Sequence, residues 1–288
     1  MFFWGTAFRA TAVGAQHATP IVFSTLRAVP GTLALLVVLA LTRARLPRDG
    51  RTIMLGAVIG FLTVSLTFEG IAEATKLAGP GNAAVLTNTA PFFTVVFARL
   101  ALGAHTPRVA IGGLVVGFTG VVVMVSSQLG GGSIGNLVLG SAIALLAAAG
   151  FAVGALLIAH TARCDPRLDM LGFTTLQYIF GSLLLIALMP IYGNPGGTDW
   201  GAGALWAAIA WVALGSSAAA SVCFNLALRR ISAARATAWQ FLAPVVAVVV
   251  EAARGSAPGP VVIVGMALAI TGVAVVSVAH SSTESVPA

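Results

Sequence analysis

Charge is what this sequence has least of. Only 8% of its 288 residues are Asp, Glu, Lys or Arg, against roughly 25% in an ordinary soluble domain, while 58% are hydrophobic. That excludes a soluble globule. No polar block is long enough to fold as an appendage, so the chain reads as one integral domain partnered by a lipid bilayer. Cysteine is nearly absent, and Cys164 and Cys223 show neither metal-ligand spacing nor a disulfide framework. All four histidines, His17, His105, His160 and His280, fall near the ends of apolar runs. No buried base therefore stands beside the hydroxyls of Ser216 and Ser217, and no ligand pair has helical spacing inside a run. These absences leave no catalytic residue, metal site or cofactor to assign, and they argue against an enzyme. The net charge of +7 is dispersed among loops rather than gathered in a patch with interleaved aromatics, so nucleic acid is not an expected partner. The opening Met1 to Gly5 lacks the basic region and cleavage site of a signal peptide.

What the sequence does have is apolar runs. A span needs about 20 mostly apolar residues to cross roughly 30 Å, and ten candidates appear. Five precede a glycine-rich stretch: Met1 to about Gln16, Ile21 to Leu41, Thr52 to about Thr75, Pro80 to Gly103, and Val109 to Val125. Five follow it: Leu137 to Ala159, Met170 to Tyr192, Ala202 to Leu228, Ala233 to Val250, and Val261 to Ala279. The tail from Ser281 is polar and reads as disordered.

The two halves echo each other. Asn82 to Val96 and Arg235 to Val249 each place a proline nine residues in, Pro91 and Pro244. Gly113 to Gly120 repeats in Gly265 to Gly272, and Phe23 to Gly31 repeats in Phe173 to Gly181. A proline inside an apolar helix frees the carbonyl four residues earlier, here at Thr87 and Gln240. In lipid such a group needs protein neighbours or a wet cavity. Kinking of two packed helices is the plainer alternative. With five spans per half, an odd number, the second half enters the membrane from the opposite side, which makes an inverted repeat.

Loop charges test this independently. With the N-terminus in the cytoplasm, Arg43, Arg45, Arg48, Arg51, Arg99, Arg108, Arg163, Arg167, Arg229, Arg230 and Arg235 all lie on the inner side. Only Lys76 and Arg254 fall outside, and Arg9 and Arg27 fall inside spans. The positive-inside rule thus predicts cytoplasmic termini in the cell membrane.

Few residues can carry chemistry. Arg27 sits in the second span, about six residues from its outer end, where an ionisable group is costly unless paired or hydrated. Ser65, Glu69, Glu73 and Lys76 form one polar stripe on the third span. Pairing of Arg27 with Glu69 is the expected outer gate, with Glu69 and Glu73 as gate or coupling residues. Glu73 with Lys76 reads equally as a solvated ion pair. Glu251 and Arg254 read as an interfacial pair. Gln177 stands where Arg27 stands in the first half, and Val222 where Glu69 stands, so the second half lacks the charges. Asn88 and Gln240 precede the two prolines near mid-membrane and, with Asn225 and Trp239, are candidate substrate contacts, although Trp239 also suits plain packing.

Trp4-Gly5, Arg27, the small-residue runs ending in Ala90-Pro91 and Ala243-Pro244, and the glycine-punctuated fifth and tenth spans resemble the EamA-type transporters of the drug/metabolite transporter superfamily. The resemblance covers essentially the whole chain. It implies an all-α membrane protein of ten transmembrane helices in two inverted five-helix repeats, 1–128 and 137–280, joined by a linker at 129–136. It implies a central substrate cavity lined largely by helices 1 to 4 and 6 to 9, with helices 5 and 10 at the periphery. Trp4, Arg27, Asn88, Pro91, Gln177, Trp239, Gln240 and Pro244 then fall on cavity-lining helices, the prolines as hinges. Members mostly export small metabolites such as amino acids or move drugs, and relatives handle nucleotide sugars. The Leu-Gly-Glu pattern frequent after helices 4 and 9 is missing, because the chain reads Leu102-Gly103-Ala104 and then Gly255-Ser256-Ala257.

The expected function is a secondary transporter of small molecules, most simply an exporter, with proton coupling as a candidate drive. The competing reading is a membrane sensor or complex subunit without transport. Nothing in the sequence sets an oligomeric state.

Overall fold

The computed structural model describes residues 1–126, 134–253, 255 and 258–284. Among them there is no strand, and the chain forms ten helical spans. They are α1 (Phe2–His17), α2 (Pro20–Thr42), α3 (50–78), α4 (80–102), α5 (Arg108–Val125), α6 (Ile134–Cys164), α7 (Met170–Tyr192), α8 (Gly203–Arg230), α9 (Ala233–Ala253) and α10 (Pro260–Glu284). Most of the expected linker lies outside the described residues. Helix α6 runs several residues beyond both expected ends, and α10 continues to Glu284, into the stretch read as a disordered tail.

Local chemistry sets the ends. Pro20 and Pro260 are the first residues of α2 and α10, where a missing N–H costs no helical bond. Asp49 caps α3 through the Thr52 amide at 2.8 Å, and Asp169 caps α7 through Leu171 and Gly172 at 3.0 and 3.1 Å. Between α3 and α4, Gly79 takes φ 83° and ψ 158°, a conformation cheap only for glycine, and Pro80 follows at once. The chain therefore breaks where the fourth span was expected to begin.

The helix contacts come in repeat-related pairs. Helices α5 and α10 cross so closely that a Cβ on Gly113 would lie 2.9 Å from the Gly272 carbonyl, and one on Gly265 would lie 2.8 Å from the Gly120 carbonyl. Gly265 and Gly272 are the echoes of Gly113 and Gly120, so each glycine faces the echo of the other. This exchange is what a two-fold axis produces, and it sets the two helices antiparallel. Gly181 of α7 abuts Gly60 and Val64 of α3, and its echo Gly31 of α2 abuts Ala213 and Ser217 of α8. Thr32 and Ser182, also echoes, hydrogen-bond each other at 2.8 Å where α2 meets α7. Helices α3 and α8 each carry a π-helical stretch, Phe61–Leu66 and Trp211–Ala219.

The loops gather by charge. At one end the Arg45 amide donates to Asp169 at 3.0 Å, and Arg229 donates to the Leu168 carbonyl at 3.2 Å. At the other, the Asp199 amide donates to the His17 carbonyl, and the His17 ring lies 3.4 Å from the Asp199 carboxylate. The basic loops 2–3 and 6–7 thus share one face of the bundle with the end of α8, opposite loops 1–2 and 7–8.

The expectation that Pro91 and Pro244 sit inside continuous helices is corrected. Helix α4 stops at Thr87, turns through Asn88 (ψ 2°) and Thr89 (ψ −9°), and restarts at Ala90, which places Pro91 in a first turn. Helix α9 tightens into a 3-10 turn at Trp239–Phe241 and resumes at Leu242, with Pro244 in the new first turn. Each proline sits where it breaks no hydrogen bond, and the irregular backbone lies before it.

Candidate functional site

The two interrupted helices meet a central cavity. About 110 Å³ of it is open to the centre of a water-sized sphere. Since about 10–15 Å³ of such space holds one water, there is room for a small solute. Eight helices line it: α1 (Trp4, Phe8, Thr11), α2 (Arg27), α3 (Thr67, Phe68), α4 (Thr87, Asn88), α6 (Phe151), α7 (Gln177, Tyr178), α8 (Ser221, Phe224, Asn225) and α9 (Gln240). No described residue of α5 or α10 touches it. The glycine exchange between those two helices explains why, because their shared face is spent on each other.

Of the expected substrate contacts, Trp4, Asn88, Gln177, Asn225 and Gln240 converge on the cavity, and Arg27 joins them. Trp239 does not line it and is 39% exposed. The 3-10 turn faces Gln240 inward, and the adjacent Trp239 necessarily points elsewhere. Pro91 and Pro244 stand behind the lining, beside Ala90 and Ala243, which do contribute.

The expected Arg27–Glu69 pair is not made. Arg27, 6% exposed, donates through Nε to Ser217 Oγ at 2.9 Å and through Nη2 to Ser216 Oγ at 2.8 Å, and its guanidinium carbon lies 3.8 Å above the Phe68 ring. The reason is the tight α2–α8 crossing at Gly31, which brings the α8 serines closer than any carboxylate of α3. Tyr178 completes the cluster, donating to the Ser217 carbonyl and sharing a hydrogen bond with Ser221, both at 2.8 Å.

Glu69 faces Ser24 of α2, with Oε2 buried and lacking a hydrogen-bond partner among the described residues. It does not line the cavity. Glu73 is half-buried and Lys76 exposed, and the pair expected between them does not form among the described residues. Glu251 meets Arg9 of α1 in an ion pair, while the expected partner Arg254 lies outside the described residues.

Hydrogen-bond direction can be traced through the second-half cluster. Thr174 Oγ1 donates to the Met170 carbonyl at 2.7 Å, so it accepts from Asn225 Nδ2 at 2.8 Å. The same amide nitrogen donates to Gln177 Oε1 at 3.1 Å, which leaves Gln177 Nε2 buried and unpartnered. Asn88 shows the opposite polarity. Its Nδ2 donates to the Ala84 carbonyl at 2.7 Å, leaving Oδ1 as an unpartnered acceptor. Buried polar atoms are rarely left without partners, and here both belong to residues that line the cavity.

Sequence reasoning missed the role of Ser216 and Ser217, weighed only as hydroxyls without a base, and the aromatic wall of Phe8, Phe68, Phe151 and Phe224. The serines had a signal. Gly31 echoes Gly181, so the helix against α2 had to be the echo of the helix against α7.

Comparison with known proteins follows the same outline. The family model described as "EamA-like transporter family" matches residues 1–126 and 138–278. The chain is 26% identical over 253 residues to YedA of Escherichia coli (strain K12), described as an uncharacterized inner membrane transporter, covering 88% of this chain and 79% of the relative. It is 26% identical to YdfC of Bacillus subtilis (strain 168), described as an uncharacterized transporter, over 66% of this chain and 60% of that one. A solved crystal structure superposes with a TM-score of 0.79 at 20% identity, covering 98% of this chain and 95% of the other, which shows a shared fold.

Proposed function

The chain belongs to the EamA-like transporter family, and from that premise we propose that it is a secondary transporter that carries small metabolites across the cytoplasmic membrane by alternating access, in the direction of export. It is a multi-pass membrane transporter; its substrate, direction and mechanism are the proposed part. One observation carries the reading. Among the described residues two helices break near mid-span, α4 and α9 at Asn88–Thr89 and Trp239–Phe241; they are echoes of each other and meet the same solute-sized cavity from opposite halves. Discontinuous helices at a repeat interface are how secondary transporters build their sites.

In this reading the units 1–128 and 137–280 rock against each other about Pro91 and Pro244. The face carrying the basic loops is cytoplasmic, by the positive-inside rule. Trp4, Asn88, Gln177, Asn225 and Gln240 contact the substrate beside Arg27. Glu69 is the candidate coupling group, buried toward Ser24 with Glu73 and Lys76 on its own helix and Arg27 above the neighbouring Phe68.

The test compares compounds in the medium of cells lacking the protein, overproducing it, or overproducing Glu69→Gln. Export predicts that one compound class rises with the protein and falls back with the variant. An unchanged medium, with the protein confirmed in the membrane, contradicts export.

A further inference from the structure

The polar groups of the cavity have an unbalanced charge. Among the described residues that line it, Arg27 alone carries a formal charge. No carboxylate lies within ion-pairing distance of Arg27 among the described residues. Its two serine partners are neutral and take two of the five guanidinium N–H groups. The other three have no hydrogen-bond partner among the described residues. A buried cation without a counter-ion is expensive at membrane depth, so the Phe68 ring and the two serines offset this charge only in part and no counter-ion among the described residues balances it.

The remaining orphans narrow the complement. Gln177 Nε2, on a residue 2% exposed, is a donor without an acceptor, and Asn88 Oδ1, on a residue 4% exposed, is an acceptor without a donor. The rest of the wall mixes small and hydroxyl side chains with five apolar aromatic rings, Trp4, Phe8, Phe68, Phe151 and Phe224. A carboxylate answers Arg27, an acceptor atom answers Gln177, an O–H or N–H answers Asn88, and an apolar body answers the aromatic part of the wall. A zwitterion fits less well, because its ammonium group finds neutral acceptors and aromatic faces but no carboxylate among the described lining residues, and it leaves the net charge of the site in place. A phosphate dianion meets a single guanidinium.

We propose that the cavity is selective for monoanionic organic acids, an apolar or aromatic body carrying one carboxylate and one hydrogen-bond donor, with Arg27 as the carboxylate receptor. The inference rests on the transporter reading only for taking the cavity as a solute site.

The probes are four compounds on one skeleton: mandelate (anion), methyl mandelate (neutral), phenylglycine (zwitterion) and phenylglycinamide (cation). Binding to the detergent-purified full chain is measured by titration calorimetry. Mandelate is expected to bind at least about tenfold tighter than the other three, the order set by one charge-assisted hydrogen bond. Arg27→Gln removes the preference, and Arg27→Lys keeps its sign. Equal or tighter binding of the neutral, zwitterionic or cationic compound overturns the proposal, as does the absence of mandelate binding. So does an Arg27→Gln protein with undiminished preference. If Arg27→Gln fails to fold, the wild-type series decides alone. Exchange of labelled mandelate across proteoliposomes separates this inference from the transporter reading. Charge-selective binding without exchange upholds the inference and fails transport, while exchange without charge preference does the reverse.

Discussion

The two halves of the molecule share a backbone and not a chemistry. Gly31 against Ser217 repeats Gly181 against Val64, the π-helical stretches of α3 and α8 repeat each other, and α4 and α9 break at matching places. Yet the position that holds Arg27 in α2 holds Gln177 in α7, and Ser217 replaces Val64 across the crossing. The contacts that two antiparallel units need in order to pack recur in both halves. The side chains facing the cavity differ between them, and the cation stands on one side. A transporter whose halves must exchange shapes needs the first kind of symmetry; a solute with one charged end is matched by the lack of the second.

Making the halves chemically alike should do the most damage. Gln177→Arg adds a second buried cation where Asn225 already donates to Oε1, at a cost of about 3 kcal/mol or more. The expected outcome is loss of monodisperse protein on size-exclusion chromatography, whereas Arg27→Gln, which makes the halves alike by removing charge, should accumulate and lose solute affinity.

Next in size is the α5–α10 exchange. Gly120→Leu and Gly272→Leu should each destabilise by about 1–3 kcal/mol. Because the two glycines are echoes, each pressed against the partner helix's backbone, their melting temperatures should fall by similar amounts. Gly112→Leu, at an exposed helix position with open space around it, should leave the melt unchanged. Unequal effects at positions 120 and 272 break the symmetry argument.

A smaller effect is expected at Asn88. In Asn88→Ala the acceptor that faces the cavity disappears, along with the bond to the Ala84 carbonyl. Solute affinity should weaken severalfold, in line with one hydrogen bond of about 1 kcal/mol, with little change in the melt.

The smallest effect belongs to Asp49, whose carboxyl is held below its ordinary pKa chiefly by the Thr52 amide. A depressed carboxyl stabilises the fold fully above its unfolded value near 4 and loses that contribution as pH falls through the lower folded value. Protection of the Thr52 amide from hydrogen exchange, relative to its intrinsic rate at each pH, should fall only in that acid range, and in Asp49→Asn that change in protection should vanish.

The ten spans, the start of the fourth at Pro80 and the gathering of basic loops were legible in the residues, while the peripheral place of α5 and α10 was implied by the family resemblance. The first three rest on local or compositional causes: span length, a proline, arginine in loops. The facing of individual side chains was not. In a bilayer the outward face of a helix is as apolar as the inward one, so periodicity separates them poorly. Trp239 and Gln240 were therefore grouped together, and the 3-10 turn separated them. Arg27 was assigned to the nearest acidic residue by depth, whereas the close crossing at Gly31 gave it two serines. That crossing was encoded in the echo of Gly181, and reading it required carrying one helix contact from the second half to the first.

The most direct test of alternating access is the accessibility of position 88. Cys164 and Cys223 are both free and exposed, so Asn88→Cys would be placed in a chain with both replaced by serine and reconstituted in vesicles. A membrane-impermeant thiol reagent would be applied to one face at a time. The account predicts labelling from each face in separate experiments, because the cavity opens to both in turn. Labelling from one face alone, however long the exposure, would contradict it.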